Sequence, residues 1–160
     1  MKKILLDACF LIGLLDQDSI HHKNAYDFFV RFSSDGNVIL KVSTIAISEF
    51  SVRADAKLIP ANVQILPFNY AHAVKAGEFG SVVSKCRKDA NDGSSRSIVL
   101  NDSKMFAQAE VEHFDYFVST DTNALKAYDH LKNKGLANFE FLDVSKVSCC
   151  EYFGELDFGV

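Results

Sequence analysis

Residues 2–15 read KKILLDACFLIGLL, and this stretch decides the fold class. A short apolar run, Ile4–Leu6, ends at the acidic residue Asp7, and a second apolar run extends from Phe10 to Leu15. A short apolar run bounded by polar residues is typical of a buried strand. The stretch therefore predicts a strand that ends at Asp7 and is followed by an apolar helix.

The alternation of short and longer apolar segments continues along the chain. The predicted strands are Ile4–Leu6, Val38–Val42, Val63–Phe68, Tyr116–Ser119 and Phe139–Leu142, and the predicted helices are about 19–33, 44–57, 69–88, 102–113 and 122–133. Strands that alternate with helices indicate an α/β fold whose parallel sheet is covered on both faces. We expect one domain over residues 1–145 and a C-terminal tail over residues 146–160.

Composition is that of a cytoplasmic globular protein. The chain has 160 residues, of which 48% are hydrophobic and 24% charged, which suits one domain with a sizeable core. No run approaches the roughly 18 apolar residues of a membrane span, and Asp7 interrupts the stretch that a signal peptide would need. Cys9, Cys86, Cys149 and Cys150 lack the paired spacing of a zinc ribbon, so reduced thiols are expected. We expect a cytoplasmic location and no membrane partner.

The overall charge of the chain does not favour binding to nucleic acid. Lys and Arg total 17 against 21 Asp and Glu, which gives a formal net charge of −4. A polyanionic substrate would therefore need a local basic patch. Such a cluster surrounds the turn-like segment 91–95 and consists of Lys85, Arg87, Lys88 and Arg96. A solvated loop is the alternative interpretation of these charges.

Four acidic residues are candidate site residues. Asp7 and Asp121 each follow a predicted strand, whereas Glu49 and Asp102 share the apolar face of a predicted helix. A carboxylate on an apolar face is normally neutralised, paired or bound to a metal. Asp102 is expected in the first turn of its helix, where the helix dipole favours an anion. The alternatives are helix capping for Asp102 and Asp121 and a buried ion pair for Glu49.

Topology predicts that Asp7 and Asp121 lie close together. Ligands of open parallel sheets bind beyond the carboxyl ends of the strands, at the point where the winding reverses. With a first strand near the sheet centre and a return after the third strand, the first and fourth strands are neighbours at that point. The four acids then suggest one shared cation site. Asn123 is either a further ligand or an ordinary polar residue of a first helical turn.

Four motifs, taken in this order, resemble a PIN domain of the VapC-like ribonuclease type. They are Ile4–Asp7 with the apolar helix after it, Ile45–Phe50, Asn101–Ala109 and Phe117–Asp121. The resemblance covers residues 3–143. It implies a three-layer α/β domain with a five-stranded parallel sheet in the order 3-2-1-4-5, flanked by helices.

The resemblance also implies a Mg²⁺- or Mn²⁺-dependent endoribonuclease that hydrolyses RNA phosphodiester bonds. The implied catalytic and metal-binding residues are Asp7, Glu49, Asp102 and Asp121, with Asn123 as a further, neutral metal ligand. Hard divalent cations prefer oxygen ligands, and a metal-activated water removes the need for a side-chain nucleophile. The candidate RNA-binding residues are Arg87, Lys88, Arg96, Lys104 and Lys126.

The sequence departs from the family pattern near two of the acids. Ala8 and Cys9 follow Asp7, where family members often carry a hydroxyl residue, so a hydroxyl that orients Asp7 is either absent or comes from Thr120 or Ser43. After the fourth acid, Thr122 and Asn123 stand where a further acid is common. These departures concern metal affinity more than the fold.

Other functional classes fit less well. A haloacid-dehalogenase-like phosphatase needs a second acid at the position of Cys9, and a receiver domain needs acids where Lys2 and Lys3 stand. The GxGxxG turn of dinucleotide-binding domains is absent. The alternative that stays open is a catalytically weak PIN domain acting as an RNA- or protein-binding module. The resemblance further suggests a type II toxin with an antitoxin partner and a homodimer, although a housekeeping nuclease has the same motifs.

Overall fold

A five-stranded parallel sheet forms the centre of the molecule. The computed structural model describes residues 1–89 and 96–154, with the backbone alone for residues 88, 89 and 96–99. The strands are β1 Lys2–Leu6, β2 Val38–Ser43, β3 Gln64–Leu66, β4 Tyr116–Ser119 and β5 Glu140–Asp143. They lie in the order β3-β2-β1-β4-β5 with every neighbouring pair parallel. The predicted fold class and strand order are confirmed.

Helices cover the sheet on both faces. They are α1 Ala8–Leu15, α2 His22–Ser34, α3 Thr44–Phe50, α4 Tyr70–Asp89, α5 Arg96–Val111, α6 Thr122–Lys132 and α7 Cys149–Phe153. Successive residues of a strand point to opposite faces, yet Ile4, Leu5 and Leu6 of β1 are all buried. The central strand is therefore enclosed from both sides. No helix in the described ranges is long and apolar enough to cross a membrane.

The carboxyl ends of β1 and β4 lie side by side, as predicted. Leu6 of β1 pairs with Val118 of β4, and the Asp7 backbone N–H donates to the Val118 carbonyl over 3.0 Å. Phe106 of α5 packs edge-to-face on Phe117 of β4, with ring centroids 4.9 Å apart. This contact anchors α5 over β4 and thereby positions Asp102, which lies one helical turn earlier on α5.

Two helix boundaries differ from the sequence prediction. Helix α3 ends at Phe50 rather than near residue 57, and Val52 is 83% exposed. The Asp55 side chain accepts a hydrogen bond from the Lys57 N–H and so starts a separate 3-10 turn, Ala56–Leu58. Helix α5 begins at Arg96 rather than near residue 102. The apolar face predicted for residues 44–57 is therefore shorter than expected, and exposed Val52 lies outside it.

Most of the predicted C-terminal tail that the structure describes packs on the domain. The Asn24 side chain of α2 donates to the Val144 and Val147 carbonyls over 2.6 and 2.8 Å and accepts from the Cys149 N–H over 3.0 Å. Phe153 of α7 packs on the aromatic rings of α2. Residues 155–160 of the predicted tail lie outside the described residues.

Candidate functional site

Asp7 is a buried carboxylate at the junction of β1 and α1. It is the N-cap of α1, and its Oδ1 accepts from the Ala8 N–H over 2.7 Å. Its Oδ2 accepts from the Ser119 hydroxyl over 2.6 Å. Because the residue is only 3% exposed, desolvation raises the pKa of Asp7 to about 6, and the charges of Glu49 and Asp121 act in the same direction. The two hydrogen bonds oppose this rise but do not cancel it.

Ser119 is the hydroxyl that orients Asp7, and the expectation of Thr120 or Ser43 was wrong. Ser119 is fully buried at the end of β4, where it donates to Asp7 and accepts from the Asp121 N–H over 2.9 Å. Ser43 instead caps α3 and donates to Gln108. The sequence signal was available, since Ser119 ends the strand that was predicted to lie beside β1.

Asp121 is half-buried and caps α6. Its Oδ1 accepts from the Asn123 N–H over 2.7 Å, so the structure confirms that Asp121 caps a helix. Capping does not exclude a site role, because Asp7 likewise caps a helix beside the other acids. Asn123 is exposed, and among the described residues its side-chain amide makes no hydrogen bond with any of the four acids. Its role as a metal ligand stays a prediction.

Among the four acids, Asp102 is the one with a buried oxygen that has no hydrogen-bond partner in the described part of the chain. It is 6% exposed, and within the described part of the chain its Oδ2 has no hydrogen-bond partner. Burial raises the pKa of Asp102 to about 8, the charges of Asp7, Asp121 and Glu49 add to the rise, and Arg87 opposes it. The expected first-turn position was wrong, because Asp102 is the seventh residue of α5 and so lies beyond the reach of the helix dipole.

Glu49 is held by an amide rather than by a buried ion pair. It is half-buried near the end of α3, and its Oε1 accepts from the Asn101 Nδ2 over 2.6 Å. The Asn101 Oδ1 in turn accepts from the Lys104 ammonium over 3.1 Å. The sequence analysis included Asn101 in a motif but gave it no role.

The four acids share one electrostatic neighbourhood at the carboxyl edge of the sheet. All four charges also raise the pKa of the Cys9 thiol above its ordinary range, although burial is the larger cause. As placed, however, no three His, Cys, Asp or Glu side chains in residues 1–87 and 100–154 form a group that could hold a metal ion. The structure brings the acids to one edge without converging them on a single point.

The predicted RNA-binding residues have different surroundings. Arg87 lies in α4 rather than in a loop, is only 9% exposed, and is close enough to Asp102 to oppose the rise of its pKa. Lys104 is half-buried and hydrogen-bonded to Asn101, whereas Lys126 is exposed on α6. The side chains of Lys88 and Arg96 lie outside the described residues. Arg87 is therefore a buried cation rather than an exposed one, and its part in RNA binding stays a prediction.

Solved structures share this fold. No model of a known protein family matches the chain, and no curated protein does. VapC20 of Mycobacterium tuberculosis, a sarcin–ricin loop cleaving toxin, is 18% identical with a TM-score of 0.55, over 78% of this chain and 94% of that one. VapBC-1 from nontypeable Haemophilus influenzae is 16% identical with a TM-score of 0.58, over 89% and 98%. FitAcB from Neisseria gonorrhoeae is 15% identical with a TM-score of 0.59, over 90% and 99%.

These similarities define the fold class. The chain has the fold of VapC-type PIN domains, and the resemblance inferred from the sequence motifs is confirmed at the level of the fold. At such identities the roles of individual residues do not transfer from one protein to another, because function depends on the site rather than on the fold.

Proposed function

We propose that this protein is a metal-dependent endoribonuclease whose site is formed by Asp7, Glu49, Asp102 and Asp121. The main support for the proposal is the environment of the Asp102 carboxylate. It is almost fully buried, one of its oxygens has no hydrogen-bond partner among the described residues, and the charges of the three other acids act on it. Such a group must bind either a proton or a cation. A divalent cation would offset the repulsion among all four carboxylates at once.

The donor set suits Mg²⁺ or Mn²⁺. All four side chains offer carboxylate oxygens, which hard divalent cations prefer, and Mg²⁺ requires few protein ligands because it keeps several waters. As placed, the described acids do not form a metal-holding group, and a divalent cation would offset the repulsion between their ionised forms. We therefore propose that the acids move closer together on binding, with Asn123 as a further ligand.

The surrounding residues would orient the carboxylates. The Ala8 N–H and the Ser119 hydroxyl fix the two oxygens of Asp7, and the Asn123 N–H fixes one oxygen of Asp121. When bound, the metal supplies a water of lowered pKa and positive charge for the leaving oxygen. Lys104 and Lys126, with Lys88 and Arg96, are proposed to contact RNA phosphates.

A biological role as a type II toxin is part of the same proposal. The fold similarity to VapC20 supports this role. The proposal also includes a protein antitoxin, a homodimer and a cytoplasmic location. Co-expression with a small DNA-binding protein encoded next to this chain, followed by co-purification and a growth assay, tests the role. Growth arrest that such a partner fails to relieve would contradict the antitoxin but not the nuclease.

The second candidate is a PIN domain that binds RNA or protein without cutting it. The observation that favours this candidate is the lack of a converged metal-holding group among the described residues. Incubation of single-stranded RNA with the protein in Mg²⁺, Mn²⁺ or chelator separates the two. We expect cleavage in metal alone, and at least a tenfold loss in Asp7→Asn, Glu49→Gln, Asp102→Asn and Asp121→Asn.

The matched control for these variants is Asp129→Asn, an exposed acid on α6. It should cut RNA like the wild type. Cleavage that persists in chelator, or that survives in all four site variants, would contradict a metal-dependent site formed by these acids. RNA binding without cleavage in any metal would establish the binding module.

A further inference from the structure

We propose that Asn101 is a positioning residue of the acidic site. Its side-chain amide holds the Glu49 carboxylate by one oxygen, Oε1, and leaves the other, Oε2, as the oxygen available to a metal ion. Lys104 holds the amide in the orientation that this requires. The inference rests on the proposed function, because it concerns the same four acids.

Glu49 depends on a side chain for its orientation, unlike the two acids that cap helices. Asp7 and Asp121 each accept from a backbone N–H one or two residues further along the chain. Glu49 lies near the end of α3 and has no such donor, and among the described residues its one hydrogen bond comes from Asn101. A long, half-exposed glutamate without this bond would be free to populate several rotamers.

The amide of Asn101 is itself held in one orientation. The Lys104 ammonium can only donate and the Glu49 carboxylate can only accept, so the Asn101 Oδ1 must face the former and its Nδ2 the latter. Lys104 lies three residues after Asn101 on the same face of α5. A hydrogen bond from an amide to a charged carboxylate is stronger than one between neutral groups. The three side chains therefore form one directed chain from Lys104 to Glu49.

Asp102, the buried acid that has an unpartnered oxygen, lies on the same turn of α5 as Asn101. Asp102 follows Asn101 directly, so the residue that grips Glu49 and the residue that lacks a partner are fixed to one helix. Asn101 thereby ties α3 to α5 and sets the separation of Glu49 and Asp102. A metal ligand and its orienting partner commonly behave as one unit, and loss of the partner typically costs about 10–100-fold in affinity or activity.

The experiment compares Mn²⁺ affinity and RNA turnover in four variants. Asn101→Ala removes the amide, Asn101→Asp replaces the donor by a second anion of the same size, and Lys104→Met removes the ammonium while keeping the stem. We expect Mn²⁺ binding, measured by titration calorimetry, to weaken by about 10-fold or more in both Asn101 variants and by less in Lys104→Met. Lys104→Arg, which keeps a cationic donor, should restore most of the loss.

Asn138→Ala is the matched control. The Asn138 Nδ2 donates to the Glu110 Oε1, which is the same pair of groups on the exposed surface and away from the four acids. Because this contact is exposed, the melting temperature of Asn138→Ala should fall by no more than that of Asn101→Ala, and its Mn²⁺ affinity and turnover should stay at the wild-type values. A purely structural role for Asn101 would give the same pattern in both alanine variants.

The outcomes separate this inference from the proposed function. If the wild type binds Mn²⁺ and cuts RNA but Asn101→Ala and Asn101→Asp bind and cut equally well, Asn101 is not a positioning residue and the nuclease proposal stands. If the wild type neither binds Mn²⁺ nor cuts RNA, both proposals are wrong. Should Asn101→Ala fail to fold, the isosteric Asn101→Asp gives the answer alone.

Discussion

Asp102 shows how one buried side chain links the site to stability. Its pKa of about 8 lies far above the ordinary value of 3.8, so without metal the native state keeps a proton that the unfolded chain releases above about pH 4. Stability from this group is therefore complete below pH 4 and is lost as the pH rises to about 8. Asp7, with a pKa of about 6, adds to the loss between pH 4 and 6.

We therefore predict that the melting temperature of the chelator-treated protein falls between pH 5 and 8. Asp102→Asn keeps a neutral group of the same shape, so it should flatten this fall and melt higher than the wild type at pH 8, on the order of 5 °C. Calorimetric scans across the pH series measure both effects. A wild-type melting temperature that does not change between pH 5 and 8 would contradict the prediction.

Ser119 carries a second prediction at the scale of single residues. Ser119→Ala leaves the Asp7 Oδ2 and the Asp121 N–H without their shared partner, so we expect a loss of about 1–3 kcal/mol in the free energy of unfolding. The loss of a donor to the ionised carboxylate should also raise the pKa of Asp7 further, so the acid limb of the pH–turnover profile should move to higher pH.

Two measurements check the role of Ser119. Urea unfolding gives the change in stability, and turnover measured from pH 5 to 8 in constant Mn²⁺ gives the shift of the profile. Ser119→Thr keeps the hydroxyl and should recover the wild-type profile. If Ser119→Ala and the wild type have the same acid limb, the hydroxyl does not tune Asp7.

At the scale of elements, the C-terminal helix depends on one residue of α2. Asn24 satisfies two carbonyls and one N–H of the segment that leads into α7. We predict that Asn24→Ala lowers the free energy of unfolding by about 1–3 kcal/mol and increases amide exchange in α7. Hydrogen exchange with mass spectrometry measures the local effect. Asn62→Ala, which removes an exposed amide contact with Ser33, is the control and should leave α7 unchanged.

The elements also show which parts of the fold the sequence could predict. The strands β1 and β4 end at acids after apolar runs, and this local pattern together with winding rules was enough to place Asp7 beside Asp121. The end of α3 was not predictable from apolar spacing. That spacing continues into a segment where the Asp55 side chain caps a separate 3-10 turn. The start of α5 was placed too late because the turn-like composition of residues 91–95 was taken to extend as a loop up to Asp102.

For the candidate site, the sequence could point to the four acids but not to the groups that orient them. Burial and strand ends identify carboxylates, whereas the donors that orient them depend on contacts between distant segments. Ser119 reaches Asp7 across 112 residues of sequence, and Asn101 reaches Glu49 across 52. Such pairs need the register of the sheet and the rotation of each helix, which periodicity alone does not fix.

At the scale of the whole molecule, the proposed binding of RNA to an acidic protein must depend on few cations. Lys126 is exposed on α6, five residues after Asp121, whereas Lys134 follows the opposite end of that helix. We predict that Lys126→Ala, in an Asp7→Asn background, lowers the log–log slope of RNA affinity against salt by about one. Lys134→Ala in the same background should leave the slope unchanged, and fluorescence anisotropy across a salt series measures both.

Arg87 should behave differently from Lys126. Because Arg87 is buried and its charge acts on Asp102, its removal should leave the salt slope unchanged. A slope that changes with Arg87→Ala but not with Lys126→Ala would place the RNA path along α4 instead of α6.

The double role of Asp7 and Asp121 as helix caps has a practical consequence for producing this protein. Asparagine caps a helix about as well as aspartate does, whereas alanine does not. An Asp-to-Asn exchange at either position therefore removes the negative charge, while the helix still starts at the same residue. A gene carrying Asp7→Asn should be clonable in a host that cannot tolerate the wild-type gene. Its product should be folded and should bind RNA without cutting it.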